Sequence, residues 1–162
     1  MLARIAQWQP DQGAASTARA VGTLALAALA IIHVVDLPAT LGPTPLVGIG
    51  YLGIIAAAIL IGGVLIARPH WLAWGAAAAV AAAAMIGYVL TRALPGGFLG
   101  DHGDVGNWRC PLGIAALSVE SVIILLVLLM VLGAWQARIH AASMAGQNQP
   151  AARRAPEYSR PG

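Results

Sequence analysis

The stretch "LVGIGYLGIIAAAILIGGVLIA" (residues 46–67) decides the fold, because its 22 consecutive residues include no charged side chain. As an α-helix it would be about 33 Å long, which matches the hydrocarbon core of a bilayer. Three further apolar runs of spanning length lie near 18–37, 71–94 and 111–136. Charged residues make up only 9% of the 162-residue chain, and hydrophobic residues make up 59%. Because water-soluble domains carry about 25% charged residues, the sequence predicts an all-α transmembrane four-helix bundle.

Prolines mark the predicted helix ends. Pro38 should end the first helix, because its ring disfavours helical backbone in the preceding residue. Pro111 should begin the fourth helix, where its missing N–H costs nothing. The C-terminal region is polar and rich in Pro, Gln and Arg, which predicts disorder. The predicted parts of the chain are a tail at 1–17, a membrane domain at 18–136 with an outer loop at 95–110, and a disordered tail at 137–162.

The arginines indicate how the helices are oriented. All nine basic side chains are arginine, a bias that together with abundant Ala, Gly and Val suggests a bacterium with a GC-rich genome. If both tails share one side of the membrane, seven arginines lie there with the turn at 68–70, whereas only Arg92 and Arg109 lie on the other side. Positive charge concentrates in cytoplasmic segments. We therefore predict a multi-pass protein of the cell membrane with both termini cytoplasmic, and we interpret the net charge of +3 as topology rather than nucleic-acid binding.

Polar side chains from all four helices fall at similar depths in the predicted outer half of the bundle. At about 1.5 Å per residue, His33 and Asp36 lie roughly 5–10 Å below the outer surface and Glu120 roughly 13 Å below it. An ionised side chain facing lipid costs at least several kcal/mol, so these groups should point inward and neutralise one another. We expect the positive charge of Arg92 to balance the carboxylates, with a proton on Glu120 in preference to a protonated His33. The candidate pocket residues are His33, Asp36, Tyr51, Tyr88, Arg92 and Glu120.

Two weaker patterns lie in the predicted outer loop at 95–110. Asp101, His102 and Asp104 in the outer loop could offer oxygen and nitrogen ligands to a metal ion, although an exposed polar loop needs no such explanation. Cys110 is the only cysteine, so the sequence has no internal disulfide and no cysteine-based zinc motif. The sequence also does not indicate which cofactor, if any, the protein binds.

Small residues recur every four positions along the third helix. They are Gly75, Ala79, Ala83 and Gly87. Small residues at this spacing let helix backbones approach closely in lipid, so we predict that this ladder is a helix-packing face.

Several short motifs resemble those of an uncharacterised group of small four-helix integral membrane proteins that are common in actinobacteria. The motifs occur over residues 20–136 in a fixed order. They are H-x-x-D at 33–36, Y-x-G at 51–53, G-Y-x-x-T-R-x-x-P-G at 87–96, P-L-G at 111–113, and Glu120. In the group that this chain resembles, Glu is more common at the position that Asp36 occupies here. The resemblance implies the architecture and the polar layer, and it implies no reaction.

Three functions stay open at this point. The leading hypothesis is a non-enzymatic membrane protein that binds an ion, a proton or a small polar ligand in an outward-facing pocket, or a partner subunit above it. The second is a membrane-embedded redox or hydrolytic enzyme, in which Glu120 acts as acid and base while His33 or Arg92 orients the substrate. The third is a structural accessory subunit of a larger membrane complex. Besides the lipid bilayer, the partner could be another membrane protein or a second copy of the chain.

Overall fold

The structure is a computed structural model that describes residues 12–147, and its regular structure is helical. Each of the four helices contains a segment long and apolar enough to cross a membrane. The prediction of an all-α four-helix bundle is thereby confirmed. The helices are α1 (Gln12–Leu41), α2 (Pro45–Ala67), α3 (Trp71–Ala93) and α4 (Pro111–Gln147).

The described residues fall into two compact units, 12–129 and 130–147. The second unit is the C-terminal part of α4, which stays helical to Gln147. The predicted disorder is therefore wrong for 137–147, where alanine, glutamine, arginine and methionine are strong helix formers. The rest of that tail and residues 1–11 of the predicted N-terminal tail lie outside the described residues.

Helix α1 is longer than predicted at both ends. It begins at Gln12, within the predicted N-terminal tail, and it continues through Pro38 to Leu41. Because proline has no N–H, Pro38 leaves the carbonyl oxygen four residues earlier without its helical hydrogen bond. The helix nevertheless continues, and beyond Pro38 the Thr40 hydroxyl donates to the carbonyl oxygen of Asp36 at 3.0 Å and the Thr44 hydroxyl donates to that of Thr40 at 2.9 Å.

The packing face of α3 differs from the predicted ladder of small residues. The buried alanines are Ala73, Ala77, Ala81 and Ala84, whereas Gly75, Ala79 and Ala83 are exposed. The buried ring of Trp74 explains the difference. A Cβ atom at Gly22 of α1 would lie 2.6 Å from Cζ3 of Trp74, so the indole packs directly against the α1 backbone. Burying this large ring turns the adjoining alanines inward and leaves Gly75 and Ala79 outside, whereas Ala83 and Gly87 line a cavity.

The loop at 94–110 folds back onto the end of α3. Gly97 has φ +74°, and a Cβ atom there would lie 2.8 Å from the carbonyl group of Asp101, so the turn requires glycine. Farther along, the Gly106 N–H donates to the carbonyl oxygen of Arg92 at 3.0 Å. This path places both the apolar and the charged side chains of the loop beside the last turn of α3.

Candidate functional site

A cavity of about 290 Å³ lies among the four helices and the 94–110 loop. All six predicted pocket residues line it. The remaining wall is mostly aliphatic and aromatic and includes Ile32, Leu46, Val47, Ile54, Phe98 and Leu99. The sequence thus identified the polar side chains that face one cavity, and their role in binding stays a prediction.

One polar cluster joins α1 to α2. The hydroxyl group of Tyr51 donates to Oδ2 of Asp36 at 3.1 Å. The imidazole ring of His33 meets the Tyr51 ring edge-to-face, with 4.8 Å between centroids. His33 Nδ1 lies 2.9 Å from the carbonyl oxygen of Leu29. Because a carbonyl only accepts, Nδ1 carries a proton, and Nε2 of the neutral ring is then an acceptor.

Arg92 is held at the end of α3 by the chain around it. One terminal nitrogen of the guanidinium group lies 3.0 Å from a carboxylate oxygen of Asp104, and Nε donates to the carbonyl oxygen of Asn107 at 3.1 Å. Nη1 donates to the Thr91 hydroxyl at 2.7 Å. The guanidinium carbon also lies 3.8 Å from the centre of the Tyr88 ring, a favourable cation–π distance. These contacts fix the 94–110 loop above the cavity.

The ion pair of Arg92 corrects the predicted charge balance. We expected Arg92 to neutralise the carboxylates of Asp36 and Glu120, but its ion pair is with Asp104 of the loop. Removing two charges from water carries a large desolvation cost, which is smaller for a partly exposed partner. The side chain of Asp104 keeps 29% of its surface exposed, so the loop supplies the less costly counter-ion.

Glu120 is the most unusual residue of the cavity wall. Only 1% of its surface is exposed, and within residues 12–147 its Oε2 atom has no hydrogen-bond partner. Buried polar atoms are nearly always hydrogen-bonded in proteins, because an unpaired one loses its interactions with water without replacement. Glu120 therefore presents an unsatisfied carboxyl oxygen at a wall of the cavity.

Tyr88 connects α3, α4 and the loop. Its hydroxyl group donates to the carbonyl oxygen of Trp108 at 3.0 Å, and the two rings meet edge-to-face with 6.1 Å between centroids. Its ring lies against Gly113 so closely that a Cβ atom at that position would overlap Cε2. The absent side chain of Gly113 is what allows the tyrosine to lie between the two helices.

The predicted metal site is not formed. Across residues 12–147, no three His, Cys, Asp or Glu side chains are grouped in a way that could hold a metal ion. The loop uses its carboxylates internally: Asp101 accepts from the Asp104 N–H at 3.2 Å, and Asp104 accepts from the Asn107 amide at 3.2 Å as well as pairing with Arg92. Burial, followed by the charge of Asp104, raises the pKa of Asp101 above its usual range. The motif of Asp101, His102 and Asp104 is therefore a turn stabilised by its own hydrogen bonds.

Part of the site was not predicted from the sequence. Thr91 joins Arg92 to the backbone of α3, and Phe98 and Leu99 close the cavity from the loop. A signal existed for Phe98, which is the only phenylalanine of the chain and lies in a glycine-rich loop. No pattern in the sequence indicated that Asn107 would bind the guanidinium group through its backbone.

Comparison with known proteins finds no matching protein family, no matching curated protein and no matching solved structure.

Proposed function

We propose that this is a membrane protein that binds a small ligand, with a polar head and an apolar body, in the cavity described above. The observation that carries the proposal is the free Oε2 atom of Glu120, buried at the wall of a cavity. A buried polar atom left unpaired costs about 1–3 kcal/mol, and more when it is charged. A ligand that donates a hydrogen bond to Glu120 would remove this cost on binding.

The cavity has the composition of a ligand site. Its volume of about 290 Å³ is close to the lower end of the range for small-molecule pockets, roughly 300–1,000 Å³. Such pockets combine mainly apolar walls with a few polar groups that fix the orientation of the ligand. Ile54 and Phe98 belong to the apolar wall here, and Asp36 and Glu120 supply polar groups.

We further propose that the protein lies in a bacterial cell membrane with both termini cytoplasmic and with the cavity toward the outer surface. The distribution of arginine supports this orientation. Arg19 and Arg68 lie near the start of α1 and the end of α2, and Arg92 and Arg109 lie at the ends of the segment that joins α3 to α4. Membership of the group of small actinobacterial membrane proteins that the chain resembles is also part of the proposal.

The test compares the native chain with a variant whose cavity is filled. Gly87 lines the cavity, and among residues 12–147 a Cβ atom there would meet no atom of another part of the chain within 4 Å, so Gly87→Leu should occupy cavity volume without a backbone clash. Gly75 lies on the same helix with equally free space, but it does not line the cavity, so Gly75→Leu is the matched control. Each protein is purified in lipid nanodiscs, and its thermal unfolding is followed with a panel of small amines, alcohols, carboxylates and inorganic salts.

We expect at least one class of compound to raise the unfolding temperature of the native chain and of Gly75→Leu. The same compounds should leave Gly87→Leu unchanged. Because a ligand stabilises by mass action only the form that binds it, the shift should grow with concentration. The proposal is overturned if no class stabilises the native chain, or if Gly87→Leu responds as strongly as its control.

A further inference from the structure

Resting on the proposed function, we propose that the ligand is a small protonated organic amine. Its ammonium group donates hydrogen bonds to Glu120 and Asp36, and its apolar body lies against the aliphatic wall. The inference comes from the hydrogen-bonding capacity that the lining side chains have left after their contacts with one another.

The hydroxyl groups on the cavity wall already donate to protein atoms. Tyr51 donates to Asp36, Tyr88 donates to the carbonyl oxygen of Trp108, and Thr91 donates to carbonyl oxygens one turn earlier in α3. A hydroxyl group has a single hydrogen to donate. None of the three therefore offers a hydrogen to a ligand that needs a donor.

The guanidinium group of Arg92 has five N–H donors, and its contacts within the protein engage four of them, which leaves one hydrogen on Nη2. Its Nε and both terminal nitrogens contact Asn107, Thr91, the carbonyl oxygen of Tyr88 and the carboxylate of Asp104. The ion pair with Asp104 also neutralises its charge within the loop. An anionic ligand would have to compete with that carboxylate for Arg92.

Apart from one hydrogen of Arg92, the capacity that remains on the wall is that of acceptors. Oε2 of Glu120 has no partner among the described residues. A carboxylate has about four lone-pair sites, and the bond from Tyr51 uses one of those on Asp36. In the neutral form of the His33 ring, Nε2 adds a third acceptor, because Nδ1 bonds to the Leu29 carbonyl.

A ligand that complements this wall brings donors and positive charge. With Arg92 paired to Asp104, neither Asp36 nor Glu120 has a cation among its hydrogen-bond partners within residues 12–147, so a cation in the cavity is attracted to Asp36 and, once Glu120 has released its predicted proton, to both. A bare metal ion fits less well, since residues 12–147 contain no grouping of three or more ligand side chains. A protonated amine satisfies the acceptors through its N–H groups, and its carbon skeleton replaces water along Ile54, Phe98 and their apolar neighbours.

The test uses three compounds with the same skeleton: phenethylamine, 2-phenylethanol and phenylacetate. Binding to the full-length chain in nanodiscs is measured by isothermal titration calorimetry at neutral pH. A fourth compound, the N,N,N-trimethyl derivative of the amine, keeps the positive charge but has no N–H. Glu120→Gln removes the charge of the acceptor, and Asp101→Asn is the control because Asp101 lies outside the cavity lining.

We expect the amine to bind at least about tenfold more tightly than the alcohol, because hydrogen bonds to charged groups are the strong ones. The carboxylate should bind most weakly, and the trimethyl derivative should fall below the amine. Glu120→Gln should weaken binding of the amine about tenfold or more, whereas Asp101→Asn should retain the native affinity for it. If Glu120→Gln does not fold, the order of the affinities of the four compounds for the native chain still tests the assignment to amines.

The two proposals fail in different ways. If the alcohol or the carboxylate binds as tightly as the amine and Gly87→Leu abolishes that binding, the cavity is a ligand site and only the assignment to amines is wrong. If none of the four compounds binds, the assignment to amines is also wrong, and the wider panel with Gly87→Leu and Gly75→Leu decides the binding function separately. Equal binding of the amine to Glu120→Gln and to the native chain would likewise overturn the assignment.

Discussion

Gly113→Ala should destabilise the fold by displacing Tyr88. The added Cβ atom would overlap Cε2 of the tyrosine ring and lie 3.2 Å from Cδ2 and 3.3 Å from Cζ. Overpacking of this kind costs about 1–3 kcal/mol. If the ring moves away instead, the Tyr88 hydroxyl loses its bond to the Trp108 carbonyl, at about 1 kcal/mol, and Arg92 loses the face of the ring. Either response should lower the free energy of unfolding.

The matched control is Gly53→Ala, since a Cβ atom there meets no other atom within 4 Å. Unfolding is titrated with sodium dodecyl sulfate in mixed micelles and followed by circular dichroism. Gly113→Ala should be less stable than Gly53→Ala by about 1–3 kcal/mol, because alanine gives both helices a similar gain in propensity. In a Tyr88→Ala background the difference should fall below about 0.5 kcal/mol, since the overlapping atoms are gone. Equal stability of the two alanine variants, or a difference that persists without the tyrosine ring, would refute the reasoning.

Two further predictions concern the loop. Asp104→Asn should lower the free energy of unfolding by about 1–3 kcal/mol, less than for a fully buried pair, because it leaves the buried guanidinium group of Arg92 without its counter-ion. The same denaturant titration should show a smaller change for Asp101→Asn, which leaves that pair intact, and equal losses would contradict the role of the pair. Because burial raises the pKa of Asp101, the folded state holds this proton more tightly than the unfolded state does. Its contribution to stability should be complete below the usual pKa of 3.8 and decline as the pH rises through the raised value, so the native chain should lose stability relative to Asp101→Asn over that window. A stability difference that does not change with pH would be inconsistent with this burial.

Hydropathy and spacing were sufficient for the architecture and for the polar residues of the cavity. Four apolar runs determine four helices, because a membrane helix must satisfy its backbone internally and cover its surface with apolar side chains. The cost of exposing charge to lipid then indicates which residues turn inward, and this reasoning identified His33 and Glu120 as cavity residues. Neither step needs any knowledge of the contacts between helices.

The ion-pair partner of Arg92 could not be predicted from the sequence, because it depends on the path of the loop. The residues at 94–110 bring Asp104 to Arg92 through turns at Gly97 and Gly106, and no periodicity encodes where such turns lead. The prediction of the packing face of α3 was wrong for a related reason. Alanine is so frequent there that several faces have small residues, and the fit of Trp74 against Gly22 decides among them.

The position of Asp104 determines the chemistry of the whole cavity. If Arg92 were paired with Glu120, that carboxylate would be neutralised and its Oε2 atom satisfied, and Asp36 alone would remain without a counter-ion in the cavity wall. Because the loop provides the counter-ion instead, the positive charge of Arg92 is neutralised at the end of α3, while Oε2 of Glu120 has no partner among residues 12–147. The same ion pair that fixes the loop above the cavity therefore leaves an acceptor-rich wall below it, and this separation of charges is what makes a donor, rather than another acceptor, the complementary ligand.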